Sequence, residues 1–231
     1  MNPILTAEQL EILRRLDACT LANAIEMFHK RLRNEGFVDG SVHCQFPDLA
    51  PMLGYAATVV IRGSAPPTAA GPYTDRTDWW NYVHSLPAPR VVVVQDAATH
   101  VGLGSLLGAV HVNILRALDC VGAVTNGAVR DLPAARKLGF HLFAGSISVS
   151  HAYDHIVEFG TPVEIGGLKI QSGDLLHGDL HGIQSIPLDI AEKIPLAAAQ
   201  IIAREQELIT LCQSKDFSIE KLRAAVARDG S

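Results

Sequence analysis

The amino-acid sequence predicts an α/β fold in which helices flank a layered sheet. Segments rich in β-branched residues alternate with helical patterns between residues 54 and 140, and such alternation places helices against a sheet. One of these segments, RVVVVQD at residues 90–96, is apolar almost throughout, which is the pattern of a strand buried on both faces. After residue 140, short β-type segments follow one another with Gly and Asp between them, as in the tight turns of an antiparallel or mixed sheet.

The N-terminal quarter of the chain is predicted to contain two helices and a strand. Thr6 followed by Gln9 is the pattern of a capping box, which predicts a short helix that continues to about residue 16. Apolar residues at helical spacing predict a second helix over residues 20–33. The β-branched residues of segment 54–63 predict the first long strand.

The next segment contains the adjacent residues Trp79 and Trp80. Proline and glycine interrupt regular structure in residues 64–80, which predicts a loop. Its end, DRTDWWNYVHSL, is predicted to be a helical turn that exposes aromatic side chains. Two interpretations of the tryptophans remain open: they line a pocket for an aromatic-derived substrate, or they are buried between copies of the chain.

The second half of the chain continues the alternation and ends in helices. Apolar residues at helical spacing predict a helix over residues 103–118, followed by the strand and turn CVGAVTNG and the helix RDLPAARKLGF. Residues 188–212 are predicted to be helical, with a break or kink at Pro195. A terminal helix is predicted over residues 217–228.

The composition is that of a folded globular protein. Of the 231 residues, 48% are hydrophobic and 19% are charged. No repeat or low-complexity linker divides them, so we expect a single domain over residues 1–231. The formal net charge of −5 argues against a general nucleic-acid binder, which usually carries a basic stripe.

The cysteines and the N-terminal sequence predict a cytoplasmic protein. No two of the four cysteines form a C-x-x-C pair, which argues against zinc-ribbon and thioredoxin sites and predicts free thiols in a reducing compartment. The sequence MNPILTAEQLEIL lacks the basic segment and apolar run of a signal peptide. Because no apolar run is long enough to span a bilayer, we expect no membrane among the partners. Because the net charge is negative, we expect no nucleic acid among them.

The strongest candidate for a functional site is the pair Arg130 and Asp131, directly after GAVTNGAV. A guanidinium offers a planar fork of donors that fits a carboxylate, and a carboxylate offers the hard oxygen ligands that suit Mg²⁺ or Mn²⁺. The pair is therefore predicted to hold an anionic substrate and a divalent metal. Two structural interpretations remain open: Asp131 caps the helix that has Pro133 in its first turn, and Arg130 is half of a surface ion pair.

Gly104, Gly108 and His111 form a second candidate site. If the whole segment is helical, these three residues share one face, and the glycines let a ligand approach the backbone closely. If the helix begins near Gly108, its free N–H groups point at an anion site. The structural alternative is that the glycines permit tight packing of helix on sheet and that His111 is an ordinary residue of the polar face.

A third group consists of histidines and acids in the C-terminal β-rich region. The spacing H-x-x-x-H occurs at residues 151/155 and 177/181, and on a helix it would suit a metal site. The glycines of HGDLHG predict a turn instead, so we expect most of this group to be turn and surface positions. Its members are His151, Asp154, His155, Asp174, His177, Asp179 and His181.

The segment GAVTNGAVRDLPAARKLGFHLFAG resembles the signature of the RraA-like family. That family includes the class II 4-hydroxy-4-methyl-2-oxoglutarate/4-carboxy-4-hydroxy-2-oxoadipate aldolases and the non-enzymatic regulator of ribonuclease E activity. LDACTLANAI and PMLGYAATVVIR resemble its N-terminal helix and first strand, and GTPVEIGGLKIQSGDLLHGDLHGIQSIP resembles its C-terminal strands. The resemblance therefore covers most of the chain.

The resemblance implies a swivelling β/β/α domain with N-terminal and C-terminal helical extensions, assembled as a homotrimer or a hexamer. It also implies the roles of the site residues. Arg130 would bind the carboxylate or keto oxygen of the substrate, and Asp131 would ligate Mg²⁺, Mn²⁺ or another divalent cation. The substrate would also be bound, mainly by backbone N–H groups, by the segment Gly108, Ala109, Val110 and His111.

Several positions depart from the family pattern. Ala109 stands where the aldolases usually carry an acid, with twenty residues between it and the Arg-Asp pair. Asn126 and Asn23 stand where the family commonly has aspartates. His111 is also unusual and is a candidate for the lost acid/base function, so the predicted catalytic residues are Arg130 and His111.

The resemblance implies a divalent-metal-dependent lyase that cleaves a carbon–carbon bond in a 2-oxo acid. A 4-hydroxy-2-oxo diacid would be the aldol substrate, pyruvate would be released, and oxaloacetate decarboxylation would be a side activity. Two other hypotheses remain open. A non-catalytic binding protein is favoured by Ala109 and disfavoured by the retained Arg130 and Asp131, and a lyase for another hydroxy acid is the third possibility.

Overall fold

The computed structural model of the chain describes residues 4–67 and 76–227. The strands are β1 (His43–Cys44), β2 (Met52–Arg62), β3 (Arg90–Asp96), β4 (Cys120–Val129), β5 (His141–Ile147), β6 (His155–Phe159), β7 (Val163–Ile165), β8 (Leu168–Ile170), β9 (Leu175–Asp179) and β10 (Gly182–Ile186). The α-helices are α1 (Ala7–Arg14), α2 (Ala18–Glu26), α3 (Arg76–Ser85), α4 (Ala109–Ala117), α5 (Leu132–Lys137), α6 (Ile194–Gln213) and α7 (Ile219–Ala227). A short 3₁₀ helix, Ala191–Lys193, precedes α6.

An eight-stranded mixed sheet with flanking helices confirms the predicted fold class. Its strand order is β1-β5-β4-β3-β2-β9-β10, and β6 pairs with β2. Strands β2, β3, β4 and β5 are parallel neighbours, whereas β1, β6, β9 and β10 pair antiparallel. On the side away from β3, the first residues of β2 pair with β9 and its last residues pair with β6. A separate hairpin is formed by β7 and β8.

The side chains of β3 alternate between two hydrophobic cores. Val92 and Val94 pack in a core with residues of α3, α4 and α5. Val91 and Val93 pack in a second core with the β7–β8 hairpin. The strand is therefore buried on both faces, as its apolar sequence predicts. A third core joins α1, α2 and the start of α6 to β2 and β9.

Two helices are shorter than their apolar spacing predicts. α2 ends at Glu26, soon before His29, whose φ of 51° is incompatible with a continuing right-handed helix. α4 begins only at Ala109, so the prediction of a helix from about residue 103 is wrong. Leu106 and Leu107 are buried in the irregular segment before α4, which explains their apolar character without a helix.

The helical turn expected around the tryptophans is α3, but the expectation that it exposes its aromatic residues is wrong for Trp79. This side chain is buried, and its ring centroid lies 6.2 Å from that of Tyr82 and 6.0 Å from that of Phe159. Trp79 is therefore a core residue. Residues 68–75 of the predicted loop lie outside the described residues.

The helix predicted over residues 188–212 begins where a proline was expected to interrupt it. Pro195 lies in the first turn of α6, where a missing N–H group removes no helical hydrogen bond. The predicted terminal helix is α7, and Arg228 lies outside the described residues. In the described part of the chain, no helix is long and apolar enough to cross a membrane.

Candidate functional site

The candidate site forms where the parallel strands β3 and β4 end. α4 follows β3 through a loop, and Arg130 and Asp131 follow β4 directly. A parallel bridge joins Leu107 to Val129, and the N–H of Arg130 donates to the carbonyl of Leu107 at 3.2 Å. This bridge holds the N-terminus of α4 beside the Arg-Asp pair, at the sheet edge where α/β proteins commonly bind ligands.

The side chain of Asp131 caps α4, which precedes it in the chain, and not α5, which follows it. It occupies the N-cap position of α5 with a φ of 55° and makes no side-chain capping bond there. Its Oδ2 accepts the N–H of Ala109, the first residue of α4, at 2.8 Å and the Nε–H of Arg130 at 3.4 Å. The bond from Ala109, and after it the contact with Arg130, lower the pKa of Asp131. Oδ1 accepts no hydrogen bond from the described residues, which leaves one carboxylate oxygen for a ligand.

The N-terminus of α4 carries two backbone N–H groups without acceptors. Gly108 is the N-cap and has no side chain that could bond them. The N–H of Ala109 is bonded to a carboxylate, and that of Val112 donates to the carbonyl of Gly108. The N–H groups of Val110 and His111 have no acceptor among the described residues. They lie at the positive end of the helix and therefore suit an anion.

Gly108 also permits the close approach of Arg130 and Asp131. A Cβ at position 108 would lie 2.9 Å from Oδ2 of Asp131 and 3.0 Å from Nε of Arg130. Among the described residues, Arg130 makes one ion pair, which joins its Nε to Asp131. Its two terminal nitrogens remain as a fork of donors for a carboxylate.

One cavity of about 280 Å³ brings the Arg-Asp pair together with residues 108–111, and Gly104 is not among its lining residues. Its lining includes Gly108, Ala109, Val110, His111, Arg130 and Asp131, and adds Arg76, Ser105, Leu106, His151 and Asp154. A larger cavity of about 610 Å³ beside α1 is lined mainly by apolar groups and contains none of the predicted site residues. Convergent polar groups, rather than volume, therefore identify the smaller cavity as the candidate site.

His111 is held in its neutral form. Burial and the positive charge of Arg76 lower the pKa of His111 to about 4. A neutral imidazole presents one donor and one acceptor, so the ring is able to orient a substrate oxygen. At neutral pH, however, a group with such a low pKa is a weak base.

Several members of the histidine and acid group are buried, which contradicts the expectation of turn and surface positions for them. His177, Asp154 and Asp179 are all buried, and His177 lies in β9. His155 begins β6, so neither H-x-x-x-H stretch is helical. Within residues 4–67 and 76–227, no three His, Cys, Asp or Glu side chains are grouped so as to hold a metal ion.

Asp154 lines the cavity, although the sequence predicted a turn or surface position for it. It lies in the turn between β5 and β6 and is 8% exposed, and neither carboxylate oxygen has a hydrogen-bond partner among the described residues. Burial and the negative charge of Asp96 raise the pKa of Asp154 to about 6, although His151 and His155 act in the opposite direction.

Gly104 does not lie on α4, and it faces Asp154 rather than sharing a helix face with His111. A Cβ at position 104 would lie 2.7 Å from the carbonyl oxygen of His151 and 2.8 Å from Oδ1 of Asp154. At Gly63 a Cβ would overlap the same carboxylate oxygen. In the sequence, Gly63 and Gly104 could have indicated that a neighbouring side chain needs space. They could not have indicated that this side chain is Asp154.

The positions that depart from the family pattern have distinct surroundings. Oδ1 of Asn126 accepts the backbone N–H of Asp96 at 2.7 Å, and its Nδ2 donates to the carbonyl of Asp96 at 3.0 Å. Asn23 donates to Glu205 of α6 at 3.4 Å. Both asparagines therefore connect elements of the fold. Ala109 lines the cavity and leaves that part of the wall without a carboxylate.

The structure is that of an α/β protein with a cavity lined by an arginine, an aspartate and a helix N-terminus. The chain belongs to the RraA-like family, because the model of that family, described as Aldolase/RraA, matches residues 18–184. The matched segment includes all the residues that line the cavity.

Two curated relatives match parts of the chain. A protein of Halalkalibacterium halodurans named "Putative 4-hydroxy-4-methyl-2-oxoglutarate aldolase" is 30% identical over 108 residues, which are 46% of this chain and 51% of that protein. Protein DlpA of Legionella pneumophila is 24% identical over 147 residues, which are 58% of this chain and 22% of that protein. The chain thus spans about half of the first relative and a smaller part of the second.

Solved structures share the fold over nearly the whole chain. An uncharacterized protein from Pseudomonas syringae pv. tomato has a TM-score of 0.74 at 21% identity, with 97% of this chain and 96% of that chain covered. Streptomyces coelicolor RraAS2, described as an unusual member of the RNase ES inhibitor RraA protein family, has a TM-score of 0.68 at 22% identity, with coverage of 88% and 96%. The proteins similar to this chain thus include one named as a putative aldolase and one described as a member of an inhibitor family.

Proposed function

We propose that the protein is a divalent-metal-dependent lyase that cleaves a carbon–carbon bond in a 2-oxo acid and releases pyruvate. The proposed substrate is a 4-hydroxy-2-oxo diacid, and oxaloacetate decarboxylation is the proposed side activity. The observation that supports this proposal is the convergence of Arg130, Asp131 and the unpaired N–H groups of Val110 and His111 on one cavity. The aldolase name of the Halalkalibacterium halodurans relative supports the substrate class.

Asp131 fits a hard divalent cation. Its Oδ2 is held by Ala109, its Oδ1 is unbonded, and its lowered pKa keeps the carboxylate ionised at neutral pH. Magnesium is commonly held by one or two carboxylates together with waters and substrate oxygens, so a single acidic side chain is sufficient. When bound, Mg²⁺ or Mn²⁺ supplies Lewis-acid stabilisation of negative charge on substrate oxygens.

Protein donors act on the same substrate charge. Arg130 would bind the substrate carboxylate through its terminal nitrogens. The N–H groups of Val110 and His111 would donate to the keto oxygen, on which negative charge develops as the carbon–carbon bond breaks. The neutral ring of His111 would orient the substrate, while Gly108 and Ala109 leave room for it.

The direct test is pyruvate release from oxaloacetate and from a 4-hydroxy-2-oxo diacid, with and without Mg²⁺. We expect release that EDTA abolishes and that Arg130→Ala lowers by about 100-fold in kcat/KM, because preorganised donors contribute on this scale. Arg136→Ala is a matched control, since Arg136 pairs with Asp48 outside the cavity. Pyruvate release that survives complete removal of metal would contradict the proposal.

Ala109 leads us to expect slow aldol cleavage. Ala109→Asp would place a carboxylate in the first turn of α4, where negative charge is favourable to the helix and lies next to the proposed cation site. We expect this substitution to raise the rate of pyruvate release from the 4-hydroxy-2-oxo diacid. An unchanged rate would count against this account of position 109.

The alternative function is a non-catalytic RraA-like regulator or binding protein, and Ala109 is the observation that favours it. Such a protein would retain the anion-binding donors and lack turnover. Calorimetric binding of oxalate, combined with no pyruvate release from either substrate, would support this alternative over the lyase.

We also propose that the protomer is a single domain and that copies assemble as a trimer or a hexamer. Exposed apolar side chains occur in the segments that also contribute the cavity lining or adjoin it in sequence: Val101, Leu103, Val110, Ile147, Val149 and Tyr153. The hydroxyl of Ser148 donates to the carbonyl of Leu103 at 3.0 Å, so two of the contributing loops are adjacent. A second copy packed on these side chains would remove the apolar surface from water.

All four cysteines are free, which supports a cytoplasmic location.

The assembly is tested by light scattering of Val149→Asp, because the Val149 side chain is fully open to a partner. We expect the oligomer to dissociate, since a carboxylate would be buried without a counter-charge. Ile202→Asp on α6 is the matched control at another exposed apolar position. An unchanged mass for Val149→Asp would exclude this surface as the contact.

A further inference from the structure

Asp154 is a buried acid in the cavity wall with no hydrogen bond to either oxygen from the described residues. Buried carboxylates in native proteins are normally paired, because an unpaired polar group raises the free energy of the fold. Asp96 is similarly buried, and its two oxygens accept the N–H groups of Ala98 and Gly102 at 2.9 and 2.8 Å. The difference indicates that Asp154 has a role toward a ligand rather than toward the fold.

The surrounding backbone leaves space for this carboxylate and holds it in place. Gly63 and Gly104 both face Oδ1, and a Cβ at either position would be too close to it. The N–H of Asp154 donates to the carbonyl of His151 at 3.0 Å, and that of Tyr153 donates to the carbonyl of Gly63 at 3.3 Å. The turn therefore fixes the carboxylate within the wall of the cavity.

The charged groups around Asp154 come from two segments. Asp96 at the end of β3 is negative, and the rings of His151 and His155 lie on either side of Asp154 in the sequence. With a pKa raised to about 6, the carboxyl group of Asp154 exchanges its proton close to neutral pH. This behaviour suits acid–base catalysis better than that of His111, whose pKa is about 4.

We propose that Asp154 is the proton-transfer group of the lyase reaction and supplies the acid–base function that Ala109 lacks. This inference rests on the proposed lyase function. The Asp154 carboxylate accepts the proton of the substrate's C4 hydroxyl, and the freed O–H electrons form the C4 carbonyl. The electron pair of the C3–C4 bond forms a C2–C3 double bond while the C2=O π pair moves to the keto oxygen, which leaves the enolate of pyruvate. The enolate then takes a proton from water at C3 as the keto group re-forms, and Asp154 releases the proton that it accepted to water, so that pyruvate forms and the carboxylate is restored.

Oxaloacetate provides the comparison that tests this step, because its decarboxylation has no hydroxyl to deprotonate. We expect Asp154→Asn to lower kcat for the 4-hydroxy-2-oxo diacid about 100-fold, which is the usual scale of general acid–base catalysis. For oxaloacetate we expect kcat to stay nearly unchanged. The calorimetric Kd of oxalate should also be unchanged, because the amide preserves the shape of the cavity wall. Equal losses on both substrates, no loss on either, or a large loss of oxalate binding would overturn the inference.

The unaltered protein gives a second test that needs no substitution. Its kcat for the 4-hydroxy-2-oxo diacid should fall as the pH drops through the pKa of Asp154 at about 6, because the protonated acid cannot accept a proton. The oxaloacetate profile should lack this decline. His151→Gln is the matched control, since His151 also lines the cavity, and it should keep the decline.

The outcomes separate this inference from the function on which it rests. If the unaltered protein releases pyruvate from neither substrate, the lyase proposal fails and the role of Asp154 fails with it. If both substrates are turned over and the decline at low pH appears with both, or disappears in His151→Gln, the lyase proposal stands and the role of Asp154 is overturned.

Discussion

Two helices of this molecule begin beside an aspartate from a distant segment, and the two aspartates differ in what they leave unbonded. At α2, Oδ2 of Asp179 accepts the N–H of Ala18 at 2.8 Å, and Oδ1 accepts the N–H of His181 at 2.8 Å. At α4, Oδ2 of Asp131 accepts the N–H of Ala109 at 2.8 Å, while no bond from the described residues reaches Oδ1. The same capping contact thus uses both oxygens in one place and one oxygen in the other.

The N-cap residues of the two helices also differ in whether they bond the free N–H groups of the helix. Asp17 caps α2, and its side chain accepts the N–H of Thr20 at 2.9 Å. Gly108 caps α4 and contributes no side-chain bond. The start of α2 is therefore satisfied within the protein, whereas the start of α4 keeps donors for a ligand. Bonds left unmade, rather than the residue types alone, distinguish the candidate functional aspartate from the structural one.

Replacing Asp131 should have the largest effect on activity. Asp131→Asn keeps an oxygen for the N–H of Ala109 and removes the charge that attracts a divalent cation. Because such a cation contributes several kcal/mol, kcat/KM for pyruvate release should fall by about 100-fold or more while Tm changes little. Asp179→Asn should leave kcat/KM nearly unchanged. Similar kinetic losses in both variants would remove the functional distinction between the two aspartates.

Replacing Asp179 should have the larger effect on stability. Its side chain is 6% exposed, and Asp179→Ala leaves the N–H groups of Ala18 and His181 without their acceptor. We expect the free energy of unfolding in urea to fall by about 2–4 kcal/mol. The side chain of Asp131 is 40% exposed, so Asp131→Ala should cost about 1 kcal/mol. The reverse order of these two losses would refute the structural assignment of Asp179.

Gly108→Ala, which adds a methyl group at the N-cap of α4, tests whether the close approach of Arg130 and Asp131 to this residue matters for binding. The Cβ of Gly108→Ala would have to displace Asp131 or Arg130, so KM for oxaloacetate should rise about 10-fold in steady-state kinetics. Gly40→Ala is the matched control, because a Cβ at position 40 meets nothing within 4 Å. If the two variants have the same KM, the close packing around Gly108 does not matter for binding.

The smallest expected effect concerns His111 at the start of α4. Its pKa is about 4 in the folded protein and 6.5 ordinarily, so on acidification the unfolded chain takes up the proton first. The contribution of His111 to the free energy of unfolding should therefore decline as the pH falls from 6.5 toward 4, and His111→Gln should remove this contribution of about 1 kcal/mol or less per pH unit. Burial also lowers the pKa values of His141 and His177, which act in the same direction, whereas burial raises the pKa values of Asp154 and Asp174, which act in the opposite direction.

The measurement is Tm as a function of pH for the unaltered protein and for His111→Gln. His84→Gln, at an exposed position on α3, serves as the control and should leave the slope unchanged. A slope that is the same in all three proteins would show that His111 is not protected from protonation.

The parts of the fold that were predicted correctly carry their evidence in adjacent residues. The apolar run of β3 reflects burial on both faces, and the capping box at Thr6 and Gln9 is present at α1. The segment around Arg130 and Asp131 resembles a family signature, and the family model matches residues 18–184. One cavity brings this pair together with residues 108–111, whose functional roles stay predictions. In these cases, local sequence records the local environment.

The parts that were missed depend on residues far apart in the chain. Asp131 was considered as a cap for its own helix, but its acceptor oxygen is used by Ala109, which only the bridge before α4 brings near. Asp154 has the appearance of a turn residue until Gly63 and Gly104 are seen to enclose its carboxylate. Apolar spacing alone does not distinguish a helix from a buried loop.

The pairing of β2 has a consequence for the chain during its synthesis on the ribosome. This strand spans residues 52–62, and its partners on one side, β6 and β9, lie in residues 155–179. Until β6 and β9 are synthesised, this side of β2 has unpaired N–H and C=O groups. Such an edge is a template for association with other nascent chains. The segments that carry the cavity are all synthesised before β9 closes the edge. Polypeptides released before residue 179 are therefore expected to contain every residue of the candidate chemistry and to aggregate nonetheless.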